Sequence, residues 1–296
     1  MNAPQYATMD GREKYLFDLQ GYLVIRGFLT SDEVESLNQA LDANPGKRGA
    51  YGDPTAEFSG TPMEGIQSPF SRFGGLLEWD RPWCLPFRNL LAHPRLIPYL
   101  NTMMGRGWRL DHEAAVVTSE IGCEGLPFHA SGNYKLVPSR YYAYQNGMMR
   151  GGLTVCQFFL SDVNPGDGGL TLVPGSHKAN FLWPMHVRLH EADQEIYRTP
   201  VLRAGDVVIF NEATTHGTLP WKGSQERRTV LYRYIPKHLQ YVDGYYATEK
   251  PGWISELTEA QQAVLERPYI YHRPLIEDDG ETIVKPQEEE DWDIPP

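Results

Sequence analysis

The chain has 296 residues, 41% of them hydrophobic and 12% aromatic, which suffices for one large buried core, and no stretch is long and apolar enough to span a bilayer. Its formal charge of −11 is unevenly spread: residues 277–296 hold nine acids against one base, Lys285, and so carry −8, leaving −3 for the remaining 276 residues. A nearly neutral body argues against nucleic acid and anionic membranes as partners and favours a small-molecule substrate.

In chain order, residues 1–6 lack a basic region followed by an apolar core, so no secretory signal is expected and a cytoplasmic location follows by default. Residues 21–29 read as a strand. Thr30 and Glu33 are spaced as a capping box, and Val34, Leu37 and Leu41 recur at three and four residues, which predicts a helix packed on a sheet. Glycine, proline and serine are frequent over 44–75 and no period survives there, so a long surface connection of the lid or binding-loop kind is expected. Pro86, Pro94 and Pro98 divide 85–104 into short helical turns. Five runs rich in β-branched and aromatic residues follow, at 108–119, 153–163, 170–174, 201–211 and 227–235, bounded by glycine or proline turns. With no crossover helices between most of them, they predict a mainly β jelly roll or antiparallel barrel with helices outside. The insertion at 183–199 has room for one short helix, and 253–275 is placed to cover this barrel or a neighbour's. One catalytic domain over 1–276 and an acidic, flexible tail over 277–296 complete the organisation. Cys84, Cys123 and Cys156 are odd in number and far apart, which argues against a disulfide framework or a zinc-thiolate site.

The clearest chemical signal is a pair of histidines. His129 lies in Leu126-Pro127-Phe128-His129-Ala130-Ser131, and His216 follows 87 residues later, just past the apolar run from Val207 to Asn211. Nine histidines occur in the chain, and a lone one is more often structural than a ligand. The flanking pattern sets these two apart. Between and around them stand Ser161-Asp162-Val163-Asn164-Pro165-Gly166-Asp167-Gly168-Gly169-Leu170, then Val173-Pro174-Gly175-Ser176-His177-Lys178, then Gly205-Asp206. In order and spacing these segments resemble the phytanoyl-CoA dioxygenase family of iron(II)- and 2-oxoglutarate-dependent oxygenases, over roughly residues 15–240.

The resemblance implies a double-stranded β-helix, a jelly-roll and cupin-like fold with flanking α-helices. It implies iron(II) on His129 and His216, 2-oxoglutarate as cosubstrate, and oxidative decarboxylation to succinate coupled to oxidation of a small molecule. Arg227, eleven residues past His216, fits the arginine that pairs with the side carboxylate of 2-oxoglutarate, with Arg228 directed to the opposite strand face. Thr218 stands where family members add a hydroxyl to that carboxylate. Gln157 shares a strand face with Val155 and Phe159, so its amide needs a polar partner, for which the same carboxylate is a candidate.

The sequence departs from the family at one ligand. An Asp belongs two residues after the first histidine, and here that residue is Ser131, a poor ligand that brings no charge. Three explanations compete. Chloride fills the place, as in halogenating relatives; water or a nearby acid such as Glu124 fills it and oxidation continues; or the site has become a cavity that binds without catalysis. A zinc hydrolase on a cupin-like barrel would also use two histidines, but needs a third ligand and a general base not evident near His129. Elsewhere, His177 reads as structural or at the cleft edge, His186, His190 and Asp111-His112 as surface or strand residues, and Asp162 and Asp167 as turn formers. Tyr134, Tyr141, Tyr142 and Tyr144 are candidates for an aromatic cleft wall.

Overall fold

The computed structural model describes residues 9–50, 58–65, 70–130, 137–242 and 251–286. In chain order they form α1 (Gly11–Gln20), β1 (Tyr22–Ile25), α2 (Ser31–Asp42), β2 (Arg48–Ala50), β3 (Ser71–Phe73), α3 (Leu85–Leu90), α4 (Ile97–Met104), β4 (Arg109–Leu110), β5 (Ala115–Ser119), β6 (Leu126–His129) and β7 (Tyr142–Gln145). Then come β8 (Met148–Gly151), β9 (Thr154–Phe159), β10 (Gly169–Leu172), α5 (Met185–Arg188), β11 (Val207–Asn211), β12 (His216–Leu219), β13 (Arg227–Ile235), α6 (Glu259–Val264), β14 (Leu275–Ile276) and β15 (Ile283–Val284). None of the described helices is long and apolar enough to cross a membrane.

Two antiparallel sheets organise these elements. The major sheet runs β1-β11-β9-β13-β5-β3-β2, with β4 on the far end of β13, and the minor sheet runs β10-β12-β6. Side chains alternate across a strand, so β13 serves two cores at once. Val230, Tyr232 and Tyr234 face outward into a cluster built with α2, α3, α4 and α6, where the Tyr232 hydroxyl donates to the Phe87 carbonyl (2.5 Å). Thr229 and Leu231 face the minor sheet. Between the sheets, Val155, Phe159, Val208 and Phe210 of the major sheet pack on Leu170 and Leu172 of the minor one. This is the double-stranded β-helix that the strand pattern and the family resemblance predict.

Local chemistry explains most boundaries. The predicted capping box is present on α2, where the Glu33 amide donates to the Thr30 hydroxyl and the Thr30 amide to the Glu33 carboxylate. A second, Asp10 with Glu13, starts α1, and Gly21 ends it at φ +82°, where a Cβ would lie 2.5 Å from His177 Nδ1. His177 is thereby part of the scaffold: it is fully buried, and its Nε2 donates to the Asp18 carbonyl (3.0 Å). Asp206 ties the edge strand to the turn before β11, accepting from Arg26, the Gly27 amide and the Arg203 amide at 2.7, 2.9 and 2.8 Å. Asp162 and Asp167 also serve turns, accepting from the Ala204 and Asn164 amides.

Several expectations need correction. Over 44–75, two three-residue strands, β2 and β3, extend the edge of the major sheet; residues 51–57 and 66–69 of that stretch lie outside the described residues. The run 108–119 is two strands, broken at 111–114. The segment 253–275 packs on this chain's own helical core through Ile254, Leu257, Ala260 and Val264. Residues 277–286 are not a free tail. They belong to the β14–β15 hairpin, whose connection is held by Glu277 to Arg106, by Asp278 to Asn101 and by Asp279 accepting from the Thr282 amide. Acidic side chains at a tight turn with basic and amide partners are structural, which composition alone does not distinguish from a solvated tail.

Candidate active site

β12 and β6 are neighbours in the minor sheet, and His216 stands directly opposite His129 in their register. Opposed residues share a sheet face, and the two rings lie 4.1 Å apart between centroids. Each Nδ1 is committed to a backbone carbonyl two residues upstream: His129 to Pro127 (3.1 Å) and His216 to Thr214 (2.7 Å). A carbonyl only accepts, so each Nδ1 carries the proton and each Nε2 keeps its lone pair. Burial lowers the pKa of both rings, that of His216 to about 3, so both are neutral, the form that ligates metals. His129 is followed by Ala130 in the left-handed region (φ +61°), with its carbonyl held by the Trp183 indole (3.0 Å) and the Thr215 hydroxyl (3.1 Å). Ser131 and Tyr134 lie outside the described residues.

A carboxylate that sequence reasoning missed faces this pair. Glu212 sits on the four-residue connection from β11 to β12, where the chain crosses between sheets, and its amide donates to the Leu153 carbonyl (2.8 Å). Its Oε1 accepts from Arg233 Nε (3.2 Å), and its Oε2 lies 4.0 Å from His216 Nε2. Burial alone would raise its pKa. Electrostatic attraction from His216, Arg233, His129 and Arg140 lowers it instead; with both imidazoles neutral, the guanidinium of Arg233 on Oε1 is the charge that keeps the group ionised. Glu124, the acid expected near the histidines, precedes the opposite end of β6 and does not line the cavity. Among the described residues, no three His, Cys, Asp or Glu side chains stand at metal-ligating separation.

Arg227 lies on the same face of β13 as Thr229, Leu231 and Arg233. It is 2% exposed, Nη1 donates to the Ser119 hydroxyl (3.2 Å), and Nε has no partner. Among the described residues it pairs with no carboxylate. Burial lowers its pKa to about 10. Gly169 makes room beside it, since a Cβ there would meet Arg227 Nε at 3.3 Å. Arg228 points the other way, to Asp42 (2.8 Å) and Glu226 (2.6 Å). Gln157 is buried opposite Leu231 and Val208 on the inter-sheet face, and Thr218 stands opposite Leu170 on the face of His216. Arg227, Gln157 and Thr218 therefore border one inter-sheet space.

A cavity of about 640 Å³ opens over His129, with Glu212, Arg233, Arg140, Arg72 and Tyr241 also among its walls. It is more polar than expected. Arg72 pairs with Glu113 (3.3 Å) and Arg233 with Glu212, while Arg140 donates to the Tyr241 hydroxyl (2.7 Å) and lies over its ring. Asp111 and His112, taken from sequence as strand or surface residues, also line it, joined to each other (2.9 Å) with His112 stacked on Tyr241. Of the tyrosines assigned to the wall, Tyr142 instead packs beneath α1 and donates to Asp18 (2.6 Å), Tyr144 is 65% exposed on the β7–β8 hairpin, and Tyr141 is half-buried outside the lining. His190 is fully buried between Phe128 and Tyr197, whereas His186 is exposed as expected.

A jelly roll with two facing histidines and a buried arginine one strand on is the architecture of a non-heme oxygenase. Residues 17–229 match the phytanoyl-CoA dioxygenase (PhyH) family, and the chain belongs to that family. Among solved structures it is similar to HygX from Streptomyces hygroscopicus, seen with nickel, 2-oxoglutarate and hygromycin B, at 24% identity and a TM-score of 0.64 over 80% of this chain and 92% of that one. It is also similar to SnoK, a non-heme alpha ketoglutarate dependent carbocyclase of nogalamycin biosynthesis (16% identity, TM-score 0.56, 87% of this chain and 94% of that one). The epimerase SnoN of the same biosynthesis matches at 19% identity with a TM-score of 0.53, over 81% and 89%. At these identities the likeness is one of fold. No protein of curated function matches the sequence.

Proposed function

We propose that the protein is an iron(II)- and 2-oxoglutarate-dependent oxygenase that oxidises a C–H bond of a polar small molecule. The observation that carries this reading is the register pair His129–His216 with both Nε2 lone pairs left available and both Nδ1 atoms tied to carbonyls. When bound, iron(II) with 2-oxoglutarate supplies dioxygen activation coupled to loss of carbon dioxide and formation of succinate. The protein's part is to hold and exclude. His129 and His216 would hold the metal, and Arg227 would pair with the far carboxylate of 2-oxoglutarate, aided by the Thr218 hydroxyl and the Gln157 amide. The apolar layer of Phe159, Leu170, Val208 and Trp221 keeps water from that buried end. Arg140, with no carboxylate partner among the described residues, would orient an anionic or hydroxyl-rich substrate in the cavity.

Hydroxylation is favoured over halogenation. Glu212 already places a negative charge at the histidines, and a halide beside it would meet repulsion in a poorly solvated site. The test is anaerobic titration of metal-free protein with iron(II) and 2-oxoglutarate, with and without chloride, followed by succinate release in air. A charge-transfer band insensitive to chloride, with succinate formed only when iron is present, is expected. A band that shifts with chloride would favour the halogenase; no band and no succinate would overturn the oxygenase reading.

A further inference from the structure

The geometry points to Glu212 as the anionic metal ligand of this protein, replacing a carboxylate two residues after His129. The inference rests on the metal-site reading above and goes beyond the two histidines. A dication held by two neutral imidazoles is bound more tightly with an anionic third donor, and Ser131 brings no charge. Glu212 is 4% exposed, and it lies beside the two histidines because the connection between β11 and β12 is short. Its backbone is anchored: the Glu212 amide is bound to Leu153, and the turn closes with the Thr214 amide on the Asn211 carbonyl and the Ala213 amide on the Asn211 side chain.

The side chain is divided between two roles. Oε1 is engaged by Arg233 and Oε2 faces His216 Nε2 at 4.0 Å. His129, His216 and Glu212 do not stand together at ligating separation as they are, so the Glu212 side chain would have to turn toward the pair. Closing the 4.0 Å gap from Oε2 to His216 Nε2 takes a change in side-chain torsions alone, with the backbone anchor kept. Arg233 can keep its bond to Oε1 throughout and orient the ligand, as outer partners of metal-bound carboxylates do. Without the ion, the same arginine balances the buried charge.

The test is metal affinity. Metal-free wild type, Glu212→Gln, Ser131→Ala and His129→Ala are each titrated anaerobically with iron(II), without 2-oxoglutarate, in competition with a chromophoric chelator. Expected are a loss of at least about 10- to 100-fold in Glu212→Gln, no change beyond about twofold in Ser131→Ala, and recovery of affinity in Glu212→Gln/Ser131→Asp. Infrared difference spectra of the wild type on metal addition provide a readout independent of any variant's folding, and a shift in carboxylate stretching is expected. Wild-type affinity in Glu212→Gln while His129→Ala loses the metal, or an unperturbed carboxylate spectrum on metal binding, would overturn the assignment and leave the two-histidine site standing. Absence of metal binding by the wild type would overturn both.

Discussion

Replacing Arg227 by methionine separates stability from function, because the same charge burdens the fold and serves the ligand. The guanidinium is 2% exposed, has one hydroxyl partner and no carboxylate among the described residues, and burial lowers its pKa from 12.5 to about 10. At neutral pH it is protonated in folded and unfolded chains alike, so the full cost falls on the fold and would be relieved only above about pH 10. That difference corresponds to a cost on the order of 3 kcal/mol. Methionine keeps an unbranched stem without the charge, and replacement of buried ions by apolar groups commonly stabilises by about 1–4 kcal/mol. At about 2 °C per kcal/mol for a chain this long, the ligand-free Tm should rise by about 2–8 °C. In the same variant 2-oxoglutarate should bind about 30- to 1,000-fold more weakly, since a buried charge pair is worth about 2–4 kcal/mol. Scanning calorimetry under nitrogen, with metal and with or without 2-oxoglutarate, reads both effects. A lower Tm in the ligand-free variant together with an undiminished shift on adding 2-oxoglutarate would refute the reasoning.

Other expectations follow from single contacts. Arg140→Ala should raise KM by about tenfold and leave kcat within about threefold, because the residue binds at the cavity wall; steady-state kinetics with the identified substrate checks it. Asp206→Ala should cost about 3 kcal/mol in urea unfolding, as it strands the Arg26 contact and two amides at once. His190, lowered to about 4 by burial, stays neutral in the fold, so as pH falls from about 6.5 to about 4 the unfolded chain gains a proton that the folded one does not. Stability should decline across that window by up to about 3 kcal/mol, and His190→Phe, which keeps a ring against Phe128, should remove this component of acid unfolding.

Strong local patterns made much of this structure legible. The alternation of β13 separates Arg227 from Arg228 in the sequence itself, since successive side chains on a strand face opposite ways. The capping box at Thr30 and Glu33 marked the start of α2 for an equally local reason. What escaped was short or set by distant packing. α1 places its apolar residues on no single face and buries Phe17 alone, so no period announced it. β2 and β3 are three residues each, and they exist because β5 offers an edge. Glu212 belongs to no motif of its own; its meaning depends on how far β6 and β11 lie from one another, which a single sequence does not state. His190 reads as a surface or strand residue because burial of an imidazole without hydrogen-bond partners has no sequence signature.

The tie between Trp183 and the Ala130 carbonyl has an implication for how substrate preference can change. Surface insertions are usually where an enzyme explores new specificity at little risk, since their rearrangement leaves the scaffold alone. Here the 183–199 insertion begins with a side chain that steadies the residue next to His129. Redesign confined to Phe181, Met185 or Ile196, all outward-facing, leaves that support in place. Exchange of Trp183 would loosen the support beside the first histidine, so a library that varies the whole insertion should yield many folded proteins that hold metal poorly.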